Sequence, residues 1–217
     1  ISGLATAEQA SIALSNVRER LNTDYGVLLM DPPYHRHAFS GALAVIYNQG
    51  TKENAGIFSQ SQGWLILAEA LCGHGERAFS YFMENAPAAQ NDRAEIRRLE
   101  PYCYGQFTEG TASVHPGRSH VHWLTGTAST MMVGCVEGIL GLRPDLNGIE
   151  ISPSIPKNWT HLEIEKDFRK AHLHIVIDNP NGRESGYEKL TLNGRELDSN
   201  YIPANLLEKE NNIQLIL

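Results

Sequence analysis

Thr125 and Gly126 are a small hydroxyl residue and a glycine set immediately before an apolar, helix-like segment. A helix that starts this way leaves backbone N–H groups pointing out of its first turn, and phosphate suits such a cluster of donors. The pair closes a polar stretch, residues 100–130, that carries Tyr102, Tyr104, Phe107 and Trp123 among histidines and glycines. It reads as one long loop without secondary structure of its own. Loops of that kind in compact domains are usually functional or disordered, and four aromatics argue against disorder. Gln106 stands among these rings. Aromatic faces stack on sugar rings and side-chain amides bond sugar hydroxyls.

Other residues offer weaker signals. Lys52-Glu53-Asn54 lies between Gly50 and Gly56, a Gly-flanked loop suited to hydroxyl recognition or equally to a surface turn. Gln60 and Gln62 bracket the start of the second helix, where solvated amides are the ordinary reading. His35-Arg36-His37 could hold an anion, but the central cation disfavours a metal; solvated loop residues are the plainer reading. His120 and His122 alternate on an extended segment, yet zinc needs further ligands and none has a convincing spacing. Glycoside chemistry calls for carboxylates. Asp31, Glu53, Asp92, Glu95, Glu100 and Glu109 are the candidates, and none carries a local signature of a catalytic acid. Glu95 and Glu100 sit amid Arg93, Arg97 and Arg98 and read as ion-pair partners. G-x-S-x-G, P-loop and dinucleotide fingerprints are missing.

The elements that must position these groups change in character along the chain. Thr6 and Gln9 resemble a capping box before a helix over residues 7–21, with Ile12, Val17 and Leu21 as its apolar side. Residues 23–57 form an excursion with a possible short strand at 42–47. Helices follow at 58–73, 76–85 and 127–140. The first and last are so apolar that burial on most sides is expected. After Arg143, period-two alternation at 149–151, 162–165, 173–177 and 190–192 predicts short antiparallel strands, with a last strand at 213–217. Asn179-Pro180, Asn181-Gly182 and Asn193-Gly194 supply the turns. The boundary falls near residue 142. Four apolar helices are too few to close a helical domain, so residues 1–142 read as part of a larger helical barrel; a four-helix bundle is the alternative.

Composition sets wider bounds. Apolar residues make up 41 % of 217 and charged residues 20 %, as in ordinary globular proteins, and no apolar run is long enough to span a bilayer. A net charge of -7, with scattered Lys and Arg, argues against nucleic acid and anionic membranes as partners. Cys72, Cys103 and Cys135 are far apart, which favours free thiols in a reducing compartment; Cys72 and Cys135 are expected to be buried and inert. Ile1 has no initiator Met or leader before it and reads as an internal point of a longer protein.

Five segments carry a family resemblance: K-E-N-A-G-I-F at 52–58, Q-G-W at 62–64, A-E-I-R-R-L-E-P-Y at 94–102, W-L-T-G-T-A-S-T at 123–130, and I-L-G-L-R-P-D-L-N-G-I-E-I-S-P-S-I-P at 139–156. Together they resemble the inverting disaccharide phosphorylases of glycoside hydrolase family 94, in register over about residues 1–160. The resemblance implies an α+β multidomain fold. Residues 1–142 would be the last helices of an (α/α)6 catalytic barrel, and residues 143–217 a C-terminal β-sandwich-like domain.

The same resemblance implies phosphorolysis of a β-linked disaccharide of the cellobiose, cellobionic acid or diacetylchitobiose type. The products are an α-sugar-1-phosphate and a free sugar. The general-acid Asp is expected upstream, so no catalytic residue is expected in this chain, which alone should be inactive. Gln60, Gln106, Thr125 and Gly126 match phosphate-site positions, although many members have His where Gln60 stands. Lys52 and Glu53 match sugar-site positions. Inorganic phosphate is a co-substrate, and no cofactor or metal is implied. The partners implied are the disaccharide, phosphate, the N-terminal remainder of the enzyme and a second copy in a homodimer, in the cytoplasm. Two other readings stay open: a glucan-processing hydrolase or synthase-associated relative, and a non-catalytic glycan-binding module.

Overall fold

The computed structural model describes residues 1–35 and 46–217. It is a mixed structure of helices and mostly antiparallel sheets. The chain divides into two compact units, residues 1–66 with 80–134, and residues 67–79 with 135–217. The expected strand at 42–47 falls largely outside the described residues.

In the first unit, α1 (Ala7–Arg20) begins at the predicted capping box. The Thr6 hydroxyl accepts from the Gln9 amide and the Gln9 side chain accepts from the Thr6 amide. Its apolar side is less buried than expected: Leu14 is buried, whereas Ile12 is 56 % exposed. A small hairpin joins β1 (Asn22–Thr23) and β2 (Gly26–Val27). The helix α2 (Ser59–Leu71), which starts in the first unit and ends in the second, is also less enclosed than its composition suggested, with Trp64 54 % exposed. α3 (Gly75–Asn85), which begins in the second unit and ends in the first, buries Ala78 and Tyr81 fully and stops before Pro87. A 3-10 turn (Pro87–Arg93) and α4 (Ala94–Arg97) follow.

Residues 100–130 are not one unstructured loop. β4 (Gly105–Thr108) and β5 (Ser119–His122) pair with each other, and β4 also pairs with β3 (Ile57–Phe58), giving a three-stranded sheet. The strands are short and rich in polar residues, so their period-two signal is weak. β5 leads into α5 (Thr127–Val133), which widens into a π-helical segment at Gly134–Ile139. The single regular helix expected over 127–140 is therefore two kinds of helix. Met132, expected to be covered, is 64 % exposed. Gly141, at φ +69, closes the segment as anticipated, and a side chain there would run into Ser152.

In the second unit, β6 (Leu142–Pro144), β7 (Gly148–Ile151) and β12 (Tyr201–Pro203) form one sheet. The other has five strands: β11 (Arg195–Leu197), β10 (Lys189–Leu192), β13 (Glu210–Ile216), β9 (Ala171–Asp178) and β8 (His161–Phe168). β13 pairs with β9 in parallel, so the expectation of antiparallel strands fails at that pair. Asn193 and Gly194 both have positive φ, the geometry of the two-residue turn read from their sequence. Leu173, Ile175, Ile177, Leu190, Ile213 and Leu215 make the buried face.

The opposite face of β8 and β9 carries histidines between carboxylates. His161 bonds Asp178 at 2.8 Å, His172 bonds Asp167 at 2.8 Å, and His174 bonds Glu165 at 2.6 Å. The bonds to Asp178 and Asp167 raise the pKa of His161 and His172, while bonds from His174 and His161 lower those of Glu165 and Asp178. A raised histidine pKa stabilises the fold below its unfolded value and loses that effect as pH rises through the folded value. A lowered carboxylate pKa stabilises above its unfolded value and loses that effect as pH falls. Both contributions are present together between the unfolded values of 4.5 for Glu and 6.5 for His. The melting temperature should therefore gain a local maximum in that window, shallow because the groups are exposed. Replacing His161 and His172 with Asn should flatten it, and an unchanged profile in that double variant would rule this face out as the source.

Three cysteines are free. Cys72 is exposed, contrary to the sequence reading; it follows Leu71, the last residue of α2, which is itself exposed. Cys135 is half-buried, and burial pushes its thiol pKa up. Among the described residues no helix is long and apolar enough to cross a membrane.

Candidate functional site

The start of α5 is held from two directions. The buried Thr127 donates its hydroxyl to the carbonyl of Gly105 at 3.3 Å, which ties the first turn to β4 next to Gln106. Thr130 donates its hydroxyl to the carbonyl of Gln60 at 2.9 Å, which ties the same turn to α2. The Gln60 carboxamide lies against Gly126, 3.2 Å from where a Cβ would stand. Gln60, Thr125 and Gly126, 66 residues apart at the extremes of sequence, thus share one corner, with Gln106 next to its anchor on β4.

The Thr125 hydroxyl bonds the Thr127 hydroxyl at 2.6 Å and accepts from the Thr127 amide at 3.2 Å. It caps the first turn in the protein alone. Gly126, Ala128 and Ser129 are exposed, so the outer side of that turn is open. Gln106 is half-buried, and among the described residues no hydrogen bond engages its carboxamide.

Close backbone contact makes this corner possible. A Cβ on Gly63 would stand 2.3 Å from the carbonyl carbon and oxygen of Thr130, so only glycine lets α2 approach α5 this closely. Gly63→Ala should introduce about 1–3 kcal/mol of overpacking, against a helix-propensity gain of up to about 1 kcal/mol. A net fall in thermal stability is expected. A rise would show that the two helices have room to separate.

The second constellation surrounds Lys52, whose backbone is left-handed at φ +44. Its ammonium lies 5.3 Å from the centre of the Tyr47 ring and 5.7 Å from that of Phe107. Glu53 is exposed. Asn54 is structural: it is buried, its side-chain carbonyl accepts from the Tyr34 amide, and its NH2 donates to the carbonyls of Tyr34 and Tyr47. Phe107 stacks on His120, with ring centres 4.8 Å apart and planes 12° from parallel. His120 in turn bonds the buried Glu109 at 2.6 Å through Nε2, and Ser113 donates to the same carboxylate. Burial pushes the Glu109 carboxyl up, but the bonds from Ser113 and His120 and the charges of His120 and Arg118 outweigh it. Its pKa ends below the ordinary value.

Several sequence readings change here. Gln62 is not solvated; it is 2 % exposed and its carboxamide bonds both the amide and the carbonyl of Val27 at 2.9 Å. Glu95 and Glu100 form no ion pair within the described residues. Arg97 donates to the carbonyls of Glu100 and Cys103, and Arg98 to that of Glu95, because these guanidinium groups satisfy turn carbonyls instead. His35 bonds Gln49, while Arg36 and His37 lie outside the described residues. Tyr102 and Trp123 are exposed and lie 6.0 Å apart, a tilted pair. Among the described residues no three His, Cys, Asp or Glu side chains gather as metal ligands. The Glu109–His120 pair could not be read from spacing; only the hairpin brings its members together.

Residues 1–141 match the catalytic domain of the glycosyl hydrolase 94 superfamily, and the chain belongs to that family. It is similar to the N,N'-diacetylchitobiose phosphorylases of Vibrio proteolyticus and Vibrio furnissii, at 33 % and 34 % identity over all 217 residues. It is also similar to the solabiose phosphorylase of Paenibacillus borealis, at 28 % identity over 94 % of the chain. The chain spans 27 % of the length of the two Vibrio proteins and 26 % of the third.

Proposed function

We propose that this chain is the C-terminal part of an inverting phosphorylase that cleaves a β-linked disaccharide with inorganic phosphate. The observation that carries the reading is the convergence of Gln60, Thr125 and Gly126 at the start of α5, beside the strand that bears Gln106. Membership of the family and the activities named for the relatives support it. On this reading residues 1–142 complete a helical barrel and residues 143–217 form a β-sandwich-like domain.

Gln60 and Gln106 donate amide N–H groups to phosphate, Thr125 turns its hydroxyl proton from the Thr127 oxygen to the phosphate, and Gly126 lets the anion approach the backbone. Lys52 and Glu53 hold sugar hydroxyls. A phosphate oxygen attacks the anomeric carbon from the face opposite the leaving sugar. The glycosidic C–O bond breaks, and a carboxylic acid from another segment of the enzyme protonates the departing oxygen. The nucleophile is already ionised, so no second carboxylate is needed to activate it. The disaccharide is of the cellobiose, cellobionic acid or diacetylchitobiose type.

The test supplies the intact enzyme with these disaccharides, with and without phosphate, and follows the products by phosphorus NMR. An α-sugar-1-phosphate formed only with phosphate is expected. Hydrolysis by water alone, or binding without turnover, would overturn the reading.

A further inference from the structure

We infer that Glu109 and His120 are a positioning pair that holds the Lys52 ammonium where the sugar is bound, an inference that rests on the proposed role of Lys52. Three contacts link them in series. Glu109 fixes His120 through Nε2 at 2.6 Å, His120 lies flat on Phe107, and Phe107 shares the Lys52 ammonium with Tyr47. The bond to an ionised carboxylate makes Nε2 the protonated nitrogen and fixes the ring plane.

The backbone supplies a second, independent link. Gly110 donates to the carbonyl of Gly50 at 2.7 Å, and Gly50 donates to that of Asn54 at 2.8 Å. A Cβ on Gly50 would stand 2.3 Å from the Ser113 nitrogen. Glu109, by accepting from Ser113, grips the segment pressed against the turn that presents Lys52. A free lysine has about 2 kcal/mol of rotamer entropy to lose on ordering. Two rings and a locked turn remove much of that freedom before the sugar arrives, which is how preorganisation raises affinity.

A purely structural Glu–His pair would affect stability without singling out Lys52, and the experiment separates the two. The intact protein, as wild type, Glu109→Gln and His120→Phe, is treated with a limiting amine-acylating reagent, and each lysine is quantified by mass spectrometry. His120→Phe keeps an aromatic ring beside Phe107 and removes only the bond to Glu109. Lys52 should react several-fold faster in both variants, with Lys157 and Lys170 unchanged. Unchanged Lys52 reactivity, or a rise at all lysines alike, overturns the inference.

Kinetics give the second readout. Glu109→Gln should raise the disaccharide KM about tenfold and leave the phosphate KM within about twofold. In a Lys52→Met background the same change should add less than about twofold, because its effect passes through Lys52. Equal rises in both KM values, or independent multiplication in the double variant, would also overturn it. If the wild-type enzyme shows no phosphate-dependent turnover, the proposed function fails, and Lys52 reactivity still decides the positioning role.

Discussion

Replacing Gln62 with leucine is expected to destabilise the protein by roughly 2–5 kcal/mol, because two buried backbone groups lose their partner at once. The Gln62 carboxamide meets the N–H and C=O of Val27, each at 2.9 Å, and Val27 is itself buried. Leucine fills a similar volume and is a good helix former, so neither a cavity nor helix propensity explains a loss of that size. What remains is the desolvation of an unpaired donor and an unpaired acceptor, each worth about 1–3 kcal/mol. Gln62→Glu separates the roles: its carboxylate can still accept from Val27 N–H but has no donor for the carbonyl. Chemical denaturation of both variants checks the ordering, with leucine the less stable. A loss under about 1 kcal/mol for leucine would mean that Val27 finds water or another partner. Gln60 lies two residues earlier on the same helix, so loosening this anchor should weaken phosphate use as well.

Thr125→Ala in the intact enzyme is expected to weaken apparent phosphate affinity by about 1–3 kcal/mol, roughly 5- to 150-fold. The hydroxyl also caps the Thr127 amide in the protein alone, so alanine should cost about 1 kcal/mol of stability besides. Serine keeps the hydroxyl and both bonds. Thr125→Ser should therefore behave nearly as wild type on both measures. If alanine lowers the melting temperature while the phosphate KM stays put, the hydroxyl is a helix cap and nothing more. The two outcomes differ in kind, which makes this substitution the sharper test of the corner at α5.

Local chemistry made much of the framework legible in the sequence. The Thr6–Gln9 box, the stop at Pro87, the Asn193-Gly194 turn and the alternating strands after residue 143 each depend on residues a few positions apart. Backbone sterics and hydrogen-bond satisfaction decide such features, and short windows carry that information. Thr125-Gly126 was visible for the same reason, as a helix start rich in donors. The motifs also pointed to the family, since five segments in order are far more specific than any one.

Tertiary structure decided the rest, because it depends on which distant residues share a space. Nothing near Gln62 signals that it will meet Val27, 35 positions away, so an amide on a helix read as solvated. The polar hairpin β4–β5 was hidden because its strands are short and its pairing is made across the connection. The same pairing sets His120 opposite Phe107 and within reach of Glu109, three residues that sequence left as an aromatic, a stray histidine and an unmarked carboxylate. Gln60 joins Gly126 only because Gly63 lets two helices touch backbone to backbone. Sequence named the candidate groups; long-range packing, which no local window contains, chose their neighbours.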